Sequence, residues 1–182
     1  DILVACVADE EFASIGTAEV AARFKADAAI VTEPSHFEAT IAHKGFVWFD
    51  ILVRGRAAHG SRPELGIDAI AKAGHALVAL EALDKRLRAN PSHARLGSGS
   101  VHASLISGGQ ELSSYPGECL IRLERRTIPG ETPASCEAEL RSMLDGLAGT
   151  VENFSYVLTR GLDRKPFEVA PSEPIVEAVS RH

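Results

Sequence analysis

The chain has 182 residues, of which 45% are hydrophobic and 24% are charged, and this composition excludes an extensively disordered protein. A net charge of −6 argues against nucleic acid or an anionic membrane surface as the main partner. No apolar run is long enough to cross a bilayer, and the length allows one domain or parts of two. The three cysteines lie within apolar patterns, which favours reduced thiols in a cytoplasmic protein over a disulfide framework.

An acidic cluster follows the first predicted strand. Residues 2–7 are apolar and include β-branched Ile and Val, as in a buried parallel strand, and Asp9, Glu10 and Glu11 follow after Ala8. Because ligand sites of open α/β sheets lie at the carboxyl ends of strands, we expect a site here. A cation would relieve the repulsion among these carboxylates, and a carboxylate beside a metal ligand can accept a proton from metal-bound water. The alternative is an acidic loop without a ligand.

A second strand of the same kind is predicted over residues 28–31, after a short helix capped near Gly16, and it leads to Glu33. Two successive parallel strands would bring Glu33 to the same sheet edge as Glu10 and Glu11. This convergence favours the metal-site hypothesis. A solvated turn residue is the alternative interpretation of Glu33.

The pattern changes after residue 40. Alternating and helical periodicities predict six elements, which are strand 46–53, helix 65–87, strand 101–106, strand 119–127, a helix from Thr132-Pro133, and strand 154–158. This is the β-α-β-β-α-β order of ferredoxin-like domains. We therefore expect an α+β domain over residues 40–158, inserted between two pieces of an α/β architecture. We expect the first strand, and a last helix capped by Ser172, to be parts of a larger domain.

Five motifs follow one another along the chain, namely ADEE at 8–11, TEPS at 32–35, GRAAHGSRP at 55–63, GG at 108–109 and ERRTIPGE at 124–131. Their content and order resemble the M20 metallopeptidases, the group of acetylornithine deacetylase, succinyl-diaminopimelate desuccinylase, aminoacylase and glutamate carboxypeptidase. The resemblance implies that residues 1–39 and 159–182 are parts of a doubly wound, zinc-peptidase-like catalytic domain. It also implies that residues 40–158 form a ferredoxin-like lid and dimerisation domain.

The resemblance assigns chemistry to the carboxylates. It implies a hydrolase that cleaves the amide bond of N-acyl amino acids or small peptides with two divalent metal ions. Zinc is the first choice for these ions, and cobalt or manganese are alternatives. Glu10 is similar to the general base that takes a proton from the metal-bridging water. Glu11 and Glu33 are similar to carboxylate ligands, one for each ion.

The resemblance also assigns roles within the inserted domain. His59 resembles the lid histidine that stabilises the oxyanion, reaching the partner subunit's site in a homodimer. Arg126 resembles the arginine that binds the substrate carboxylate, and Gly108 and Gly109 resemble a pair that lets backbone approach the substrate. From the residues alone, a lone histidine in a polar loop is more often a solvated side chain, and Arg126 could equally belong to a cross-strand ion pair.

Two positions depart from the family pattern. Ser113 stands at a substrate-contacting position where asparagine is common, and one hydroxyl cannot replace all the donors and the acceptor of an amide. The change leaves the acyl group and amino acid of the substrate open. Glu124 precedes the arginines where aspartate is common, which is a milder change. Other histidines carry no motif and are interpreted as structural or exposed: His43, His75, His93, His102 and His182.

The resemblance also implies metal ligands that this sequence does not contain. Family members supply a histidine and a bridging aspartate from segments that precede residue 1, and another histidine near their C-terminus. Because zinc takes about four ligands, Glu11 and Glu33 cannot hold two ions alone. We therefore expect the 182-residue chain by itself to bind no tight two-metal centre and to have little hydrolase activity. The alternative function is a non-catalytic dimerisation or binding module of the same fold.

Overall fold

The structure is a computed structural model that describes residues 1–35 and 38–181. His182, interpreted above as structural or exposed, lies outside the described residues. The chain divides into two compact units, of which unit 1 comprises Asp1–Thr40 and Ala170–His182 and unit 2 comprises Ile41–Val169. In the described part of the chain, no helix combines the length and the apolar character that crossing a membrane requires.

The helices and strands are numbered in chain order. They are α1 (Ile15–Arg23), β1 (Ala42–His43), β2 (Gly45–Arg54), β3 (Ala58–His59), α2 (Ala69–Ala89), β4 (Ser100–Gly108), β5 (Ser114–Tyr115), β6 (Glu118–Thr127), α3 (Pro133–Thr150), β7 (Ser155–Arg164), β8 (Phe167–Glu168) and α4 (Pro174–Ser180). A 3-10 turn over Pro63–Leu65 precedes α2. Helices α1 and α4 belong to unit 1, and all the other elements belong to unit 2.

The prediction of two parallel strands at residues 2–7 and 28–31 is wrong. Neither segment is paired as a strand within the described chain, and their apolar side chains are exposed, Ile2 by 93% and Val31 by 73%. A strand needs neighbouring backbone for its hydrogen bonds and a packed surface for its side chains. The described residues of unit 1 supply neither, so the doubly wound sheet that we expected there is not formed by these segments.

Both short helices of unit 1 start differently from the prediction. α1 follows Ser14, which has a left-handed backbone with a φ of 52° and makes no side-chain capping hydrogen bond. The predicted cap at Gly16 therefore lies inside the helix. α4 has Glu173 rather than Ser172 at its N-cap, because Pro174 occupies the first helical position, where a missing N–H costs nothing.

Unit 2 is built on a four-stranded antiparallel sheet with the strand order β4-β6-β2-β7. Along the chain, these strands and the two long helices follow the β-α-β-β-α-β order that the periodicity predicts. The predicted alternation of β2 is confirmed, since Val47, Phe49, Ile51 and Val53 are buried in one core with side chains of α2 and α3. The helices thus back one face of the sheet, and partly exposed side chains occupy the other.

The two long helices show how local sequence determines where a helix begins. α2 starts later than the predicted residue 65, because the 3-10 turn comes first and Asp68 then caps the helix. The carboxylate of Asp68 accepts a hydrogen bond from Ala71 N at 2.9 Å. α3 begins at Pro133, as predicted, after a capping box formed by Thr132 and Ser135.

Two short antiparallel ribbons lie outside the main sheet. β3 pairs with β5, which places His59 opposite Ser114. β1 pairs with β8, and Val169 N donates a hydrogen bond to Ile41 O at 2.8 Å beside this ribbon. Ile41 and Val169 are the first and last residues of unit 2, so its two ends lie side by side.

Candidate functional site

Glu10 and Glu33 of unit 1 interact with each other, although the segments that carry them do not form a sheet edge. The negative charge of Glu33 raises the pKa of Glu10, with further contributions from partial loss of hydration, from the charge of Glu11 and from a hydrogen bond with the Glu33 side chain. The backbone is left-handed at Asp9 and Ser14, and Ser14 N donates to Asp9 O at 2.6 Å. The structure therefore brings Glu10 close to Glu33, and Glu11 is the chain neighbour of Glu10, although the strands expected to join them are not formed.

The chemistry of these carboxylates suits a divalent cation, but the ligand set is partial. Carboxylate oxygens bind zinc, cobalt and manganese, and a cation would offset the repulsion between Glu10 and Glu33. Within residues 1–35 and 38–181, no three His, Cys, Asp or Glu side chains are grouped so that they could hold a metal ion. The carboxylates of the described residues could therefore bind such an ion only as part of a larger ligand set.

His59 lies in unit 2 at the end of β3, and its exposed ring contacts its own loop. The Nδ1 atom of His59 lies 2.8 Å from Ser61 Oγ and accepts a hydrogen bond from Ser61 N at 3.2 Å. Gly60 N donates to Ser113 O at 2.6 Å, so the His59 loop is bonded directly to the segment that carries Ser113. Two predicted site residues, His59 and Ser113, are therefore neighbours in the structure.

The glycine pair at the end of β4 has two different structural causes. A Cβ atom on Gly108 would lie 3.1 Å from Cys119 Cβ and from Glu118 O, so close packing against β6 favours glycine there. Gly109 has a φ of +76°, in the left-handed region that glycine adopts without strain. The predicted approach of a substrate to this pair stays a prediction.

Arg126 lies on the sheet face opposite the helices, which also carries Phe46, Trp48 and Glu124 and which we call the open face. Arg126 Nε donates to Glu124 Oε1 at 2.6 Å, and the guanidinium lies 5.6 Å from the centroid of the Phe46 ring. Glu124 is 14% exposed and also accepts a hydrogen bond from Trp48 Nε1 at 3.0 Å. Among the residues that the structure describes, Nη1 and Nη2 of Arg126 have no partner. Two parallel donors remain available for a planar anion.

The ion pair of Arg126 differs from the cross-strand alternative considered above. Its partner Glu124 lies two residues earlier on the same strand, whereas Arg122 pairs across strands with Asp50 at 3.7 Å. The contact uses only the Nε edge of the guanidinium. Arg126 can therefore form this ion pair through Nε and still bind a ligand through Nη1 and Nη2.

Several residues around the site were missed by reasoning from motifs. Phe46 and Trp48 alternate on one face of β2, but only the strand register shows that Phe46 lies opposite Arg126. Ser61 lies two residues after His59 within the GRAAHGSRP motif, and this spacing is the signal that was available. A side chain two positions along a tight loop can bond back to a preceding ring.

Comparison with known proteins gives the family of this chain. A family model described as "Peptidase dimerisation domain" matches residues 41–152. The acetylornithine deacetylase of Myxococcus xanthus is 32% identical over 140 residues, which cover 72% of this chain and 36% of that protein. The acetylornithine deacetylase of Vibrio parahaemolyticus is 31% identical over 147 residues, which cover 79% of this chain and 38% of that protein. The chain thus spans little more than a third of the length of these relatives.

The chain is also similar to solved structures at the level of the fold. An amidase of the hydantoinase/carbamoylase family from Burkholderia multivorans aligns with a TM-score of 0.58 and 20% sequence identity, covering 78% of this chain and 32% of that one. The resemblance inferred from the five motifs is confirmed by the family match. Because the dimerisation-domain model covers more than half of its residues, the chain belongs to the M20 family of peptidases and amidohydrolases.

Proposed function

We propose that this chain is part of a two-metal amidohydrolase that cleaves the amide bond of N-acyl amino acids or small peptides. The observation that carries the proposal is the convergence of Glu10, Glu11 and Glu33 in a chain of the M20 family. The names of the acetylornithine deacetylase relatives support a small N-acyl substrate. In the experiments below, the full-length enzyme means a polypeptide that contains this chain and has the length of these relatives.

The carboxylates of unit 1 have separate roles in this proposal. Glu11 and Glu33 each hold one divalent ion as part of a larger ligand set, with zinc as the first choice and cobalt or manganese as alternatives. When bound, such ions lower the pKa of water and polarise the substrate carbonyl. Glu10 lies beside both ligands and accepts the proton that the attacking water loses.

We propose that unit 2 serves as the lid and as a ferredoxin-like domain. Its strand order and its two backing helices support that arrangement, and β7 and β8 continue the inserted domain beyond residue 158 to Val169. His59 donates to the oxyanion of the tetrahedral intermediate, and Arg126 binds the substrate carboxylate through its free Nη atoms. Ser113, with Gly108 and Gly109, lines the substrate.

A second copy of the chain is the partner that we propose for unit 2. β4 lies at an edge of the sheet, and its Leu105 and Ile106 side chains are 62% and 54% exposed. α2 packs next to β4 and exposes Val78 by 69%. An edge strand with apolar side chains suits pairing with the same strand of a copy, as in a two-fold dimer. In that homodimer His59 serves the catalytic site of the other subunit.

Hydrolysis by the full-length enzyme tests the proposed function. We expect turnover of at least one substrate in a panel of N-acetyl amino acids, N-succinyl amino acids and dipeptides. Turnover should be lost after chelation and restored by zinc, cobalt or manganese, and Glu10→Gln should abolish it in a folded, metal-loaded protein. A folded, dimeric, metal-loaded protein that hydrolyses none of the panel would favour the alternative, a non-catalytic dimerisation module.

The 182-residue chain alone should bind zinc weakly. Two carboxylate ligands leave each ion far short of the four donors that a tight zinc site uses. Calorimetric titration with zinc should therefore detect no high-affinity site, and chelation should leave the unfolding midpoint of the chain unchanged. Binding of two ions below micromolar concentration would contradict this prediction.

Substitution of Arg126 by lysine should weaken substrate binding in the full-length enzyme. A lysine keeps the positive charge but loses the planar pair of Nη donors, so we expect KM to rise about 10- to 100-fold with a smaller change in kcat. Arg122→Lys is the matched control. Arg122 lies on the same strand and the same face as Arg126, but it forms its ion pair with Asp50. Equal effects of the two substitutions on KM would refute the binding role of Arg126.

A further inference from the structure

The His59 ring is held by the backbone N–H and the hydroxyl of Ser61. Ser61 N lies 3.2 Å from His59 Nδ1 in hydrogen-bonding geometry, and Ser61 Oγ lies 2.8 Å from the same atom. Both contacts converge on one ring nitrogen. In the described part of the chain, no group contacts the other ring nitrogen, Nε2.

These contacts determine which ring nitrogen carries the proton. A backbone N–H can only donate, so the nitrogen that faces Ser61 N must offer a lone pair. Nδ1 is therefore the unprotonated nitrogen of the neutral ring, and the Ser61 hydroxyl can donate to the same lone pair. The single proton of the neutral imidazole then lies on Nε2, which makes Nε2 a hydrogen-bond donor.

The loop is restrained in a way that keeps Ser61 next to Nδ1 of the ring. Arg62 N donates to His59 O at 2.9 Å, which closes a tight turn over residues 59–62. Gly60 N donates to Ser113 O at 2.6 Å and joins this turn to the neighbouring segment. The backbone on both sides of Ser61 is thus fixed, and its N–H and hydroxyl point to the same ring atom.

We propose that Ser61 is a positioning residue, which orients the His59 ring and fixes its neutral form with the proton on Nε2. The catalytic meaning of this inference rests on the proposed function, because a donor at Nε2 is what an oxyanion beside His59 requires. With the proton on Nδ1, the ring would present a lone pair to the oxyanion and would repel it. The Ser61 hydroxyl adds a second contact at Nδ1 to that of the backbone N–H, and it therefore matters for activity without touching the substrate.

Nitrogen NMR of the chain itself tests the inference without any assay of activity. Two-bond 1H–15N spectra at a pH where imidazole is neutral distinguish the two protonation forms, and the signals of His59 are assigned by their loss in His59→Gln. We expect the His59 ring of the unsubstituted chain to carry its proton on Nε2. A ring protonated on Nδ1 would overturn the inference.

Substitutions separate the hydroxyl from the rest of the loop. Ser61→Ala keeps the backbone N–H and removes only the hydroxyl, so it should shift the His59 ring signals part of the way towards the form protonated on Nδ1. Ser61→Thr, which keeps a hydroxyl, should restore them. Ser114→Ala is the matched control, because Ser114 lies opposite His59 but its hydroxyl donates to Glu111 at 2.6 Å. If Ser61→Ala and Ser114→Ala give the same His59 spectrum, the inference is overturned.

Kinetics of the full-length enzyme supply the second readout. Loss of one hydrogen bond that positions the ring should lower kcat about three- to tenfold in Ser61→Ala and leave KM within about twofold, with recovery in Ser61→Thr. If His59→Ala abolishes turnover while Ser61→Ala leaves kcat unchanged, the positioning role fails and the proposed function stands. If the enzyme hydrolyses nothing, the proposed function fails, and the NMR result alone decides the protonation form.

Discussion

Replacing His59 by alanine in the full-length enzyme should lower kcat by about 10²- to 10³-fold, the effect of removing one preorganised donor from an oxyanion. KM should change little, because the donor acts on charge that develops only in the transition state. Steady-state kinetics on the best substrate of the panel measure both constants. A kcat within threefold of the unsubstituted enzyme would exclude His59 from the oxyanion site.

Mixed dimers test whether His59 acts in the other subunit. His59→Ala and Glu10→Gln each inactivate the enzyme as pure dimers, but a mixed dimer contains one catalytic site with an intact Glu10 and the partner's intact histidine. Random mixing should therefore restore about a quarter of the unsubstituted activity. No restoration after verified subunit exchange would mean that His59 serves the site of its own subunit.

Replacing Arg125 by alanine should lower the free energy of unfolding of unit 2 by about 3–5 kcal/mol. Arg125 is only 2% exposed, its guanidinium pairs with Glu131, and its Nε lies 3.6 Å from Glu139 Oε2. Glu131 also accepts a hydrogen bond from Ile128 N at 2.9 Å, which ties the loop after β6 to the same charge. Without the arginine, the partly buried Glu131 would lose its ion-pair partner, and Glu139 would keep only its pair with the exposed Arg86.

Arg122→Ala is the control for the substitution of Arg125. Arg122 lies on the same strand, but it is exposed and makes one ion pair with Asp50 at 3.7 Å, so its loss should cost at most about 1 kcal/mol. Urea unfolding followed by the fluorescence of Trp48, the single tryptophan, reports on unit 2 directly. If Arg125→Ala does not fold, Arg125→Lys provides a measurable intermediate loss. Equal stabilities of the Arg125→Ala and Arg122→Ala chains would contradict the prediction.

Much of unit 2 follows from its sequence because its hydrophobic pattern and its partners lie in the same chain. The alternation that places Val47 and Phe49 in the core could be read directly, since β6 and β7 are present to pair with β2. The segments at 2–7 and 28–31 have an equally good strand pattern, yet they remain unpaired within the described residues. A periodic pattern indicates which side chains would be buried in a sheet, but a strand forms only where a neighbouring strand is present to pair with it.

The motifs indicated candidate site residues, whereas the contacts that depend on tertiary geometry were not predicted. The convergence of Glu10 with Glu33 was inferred from two strand ends, and the structure brings these carboxylates together although neither strand is formed. The support of Arg126 by Glu124 and Trp48 depends on the register between β2 and β6, which no single motif encodes. Tertiary pairing, rather than local preference, determines those contacts.

The β1–β8 ribbon has a practical consequence for how unit 2 can be handled. Because Val169 N bonds to Ile41 O, the polypeptide enters and leaves this unit at one point, as a cassette does. Residues 41–169 can therefore be excised as a separate protein, or joined end to end by a short linker with new termini opened in an exposed loop.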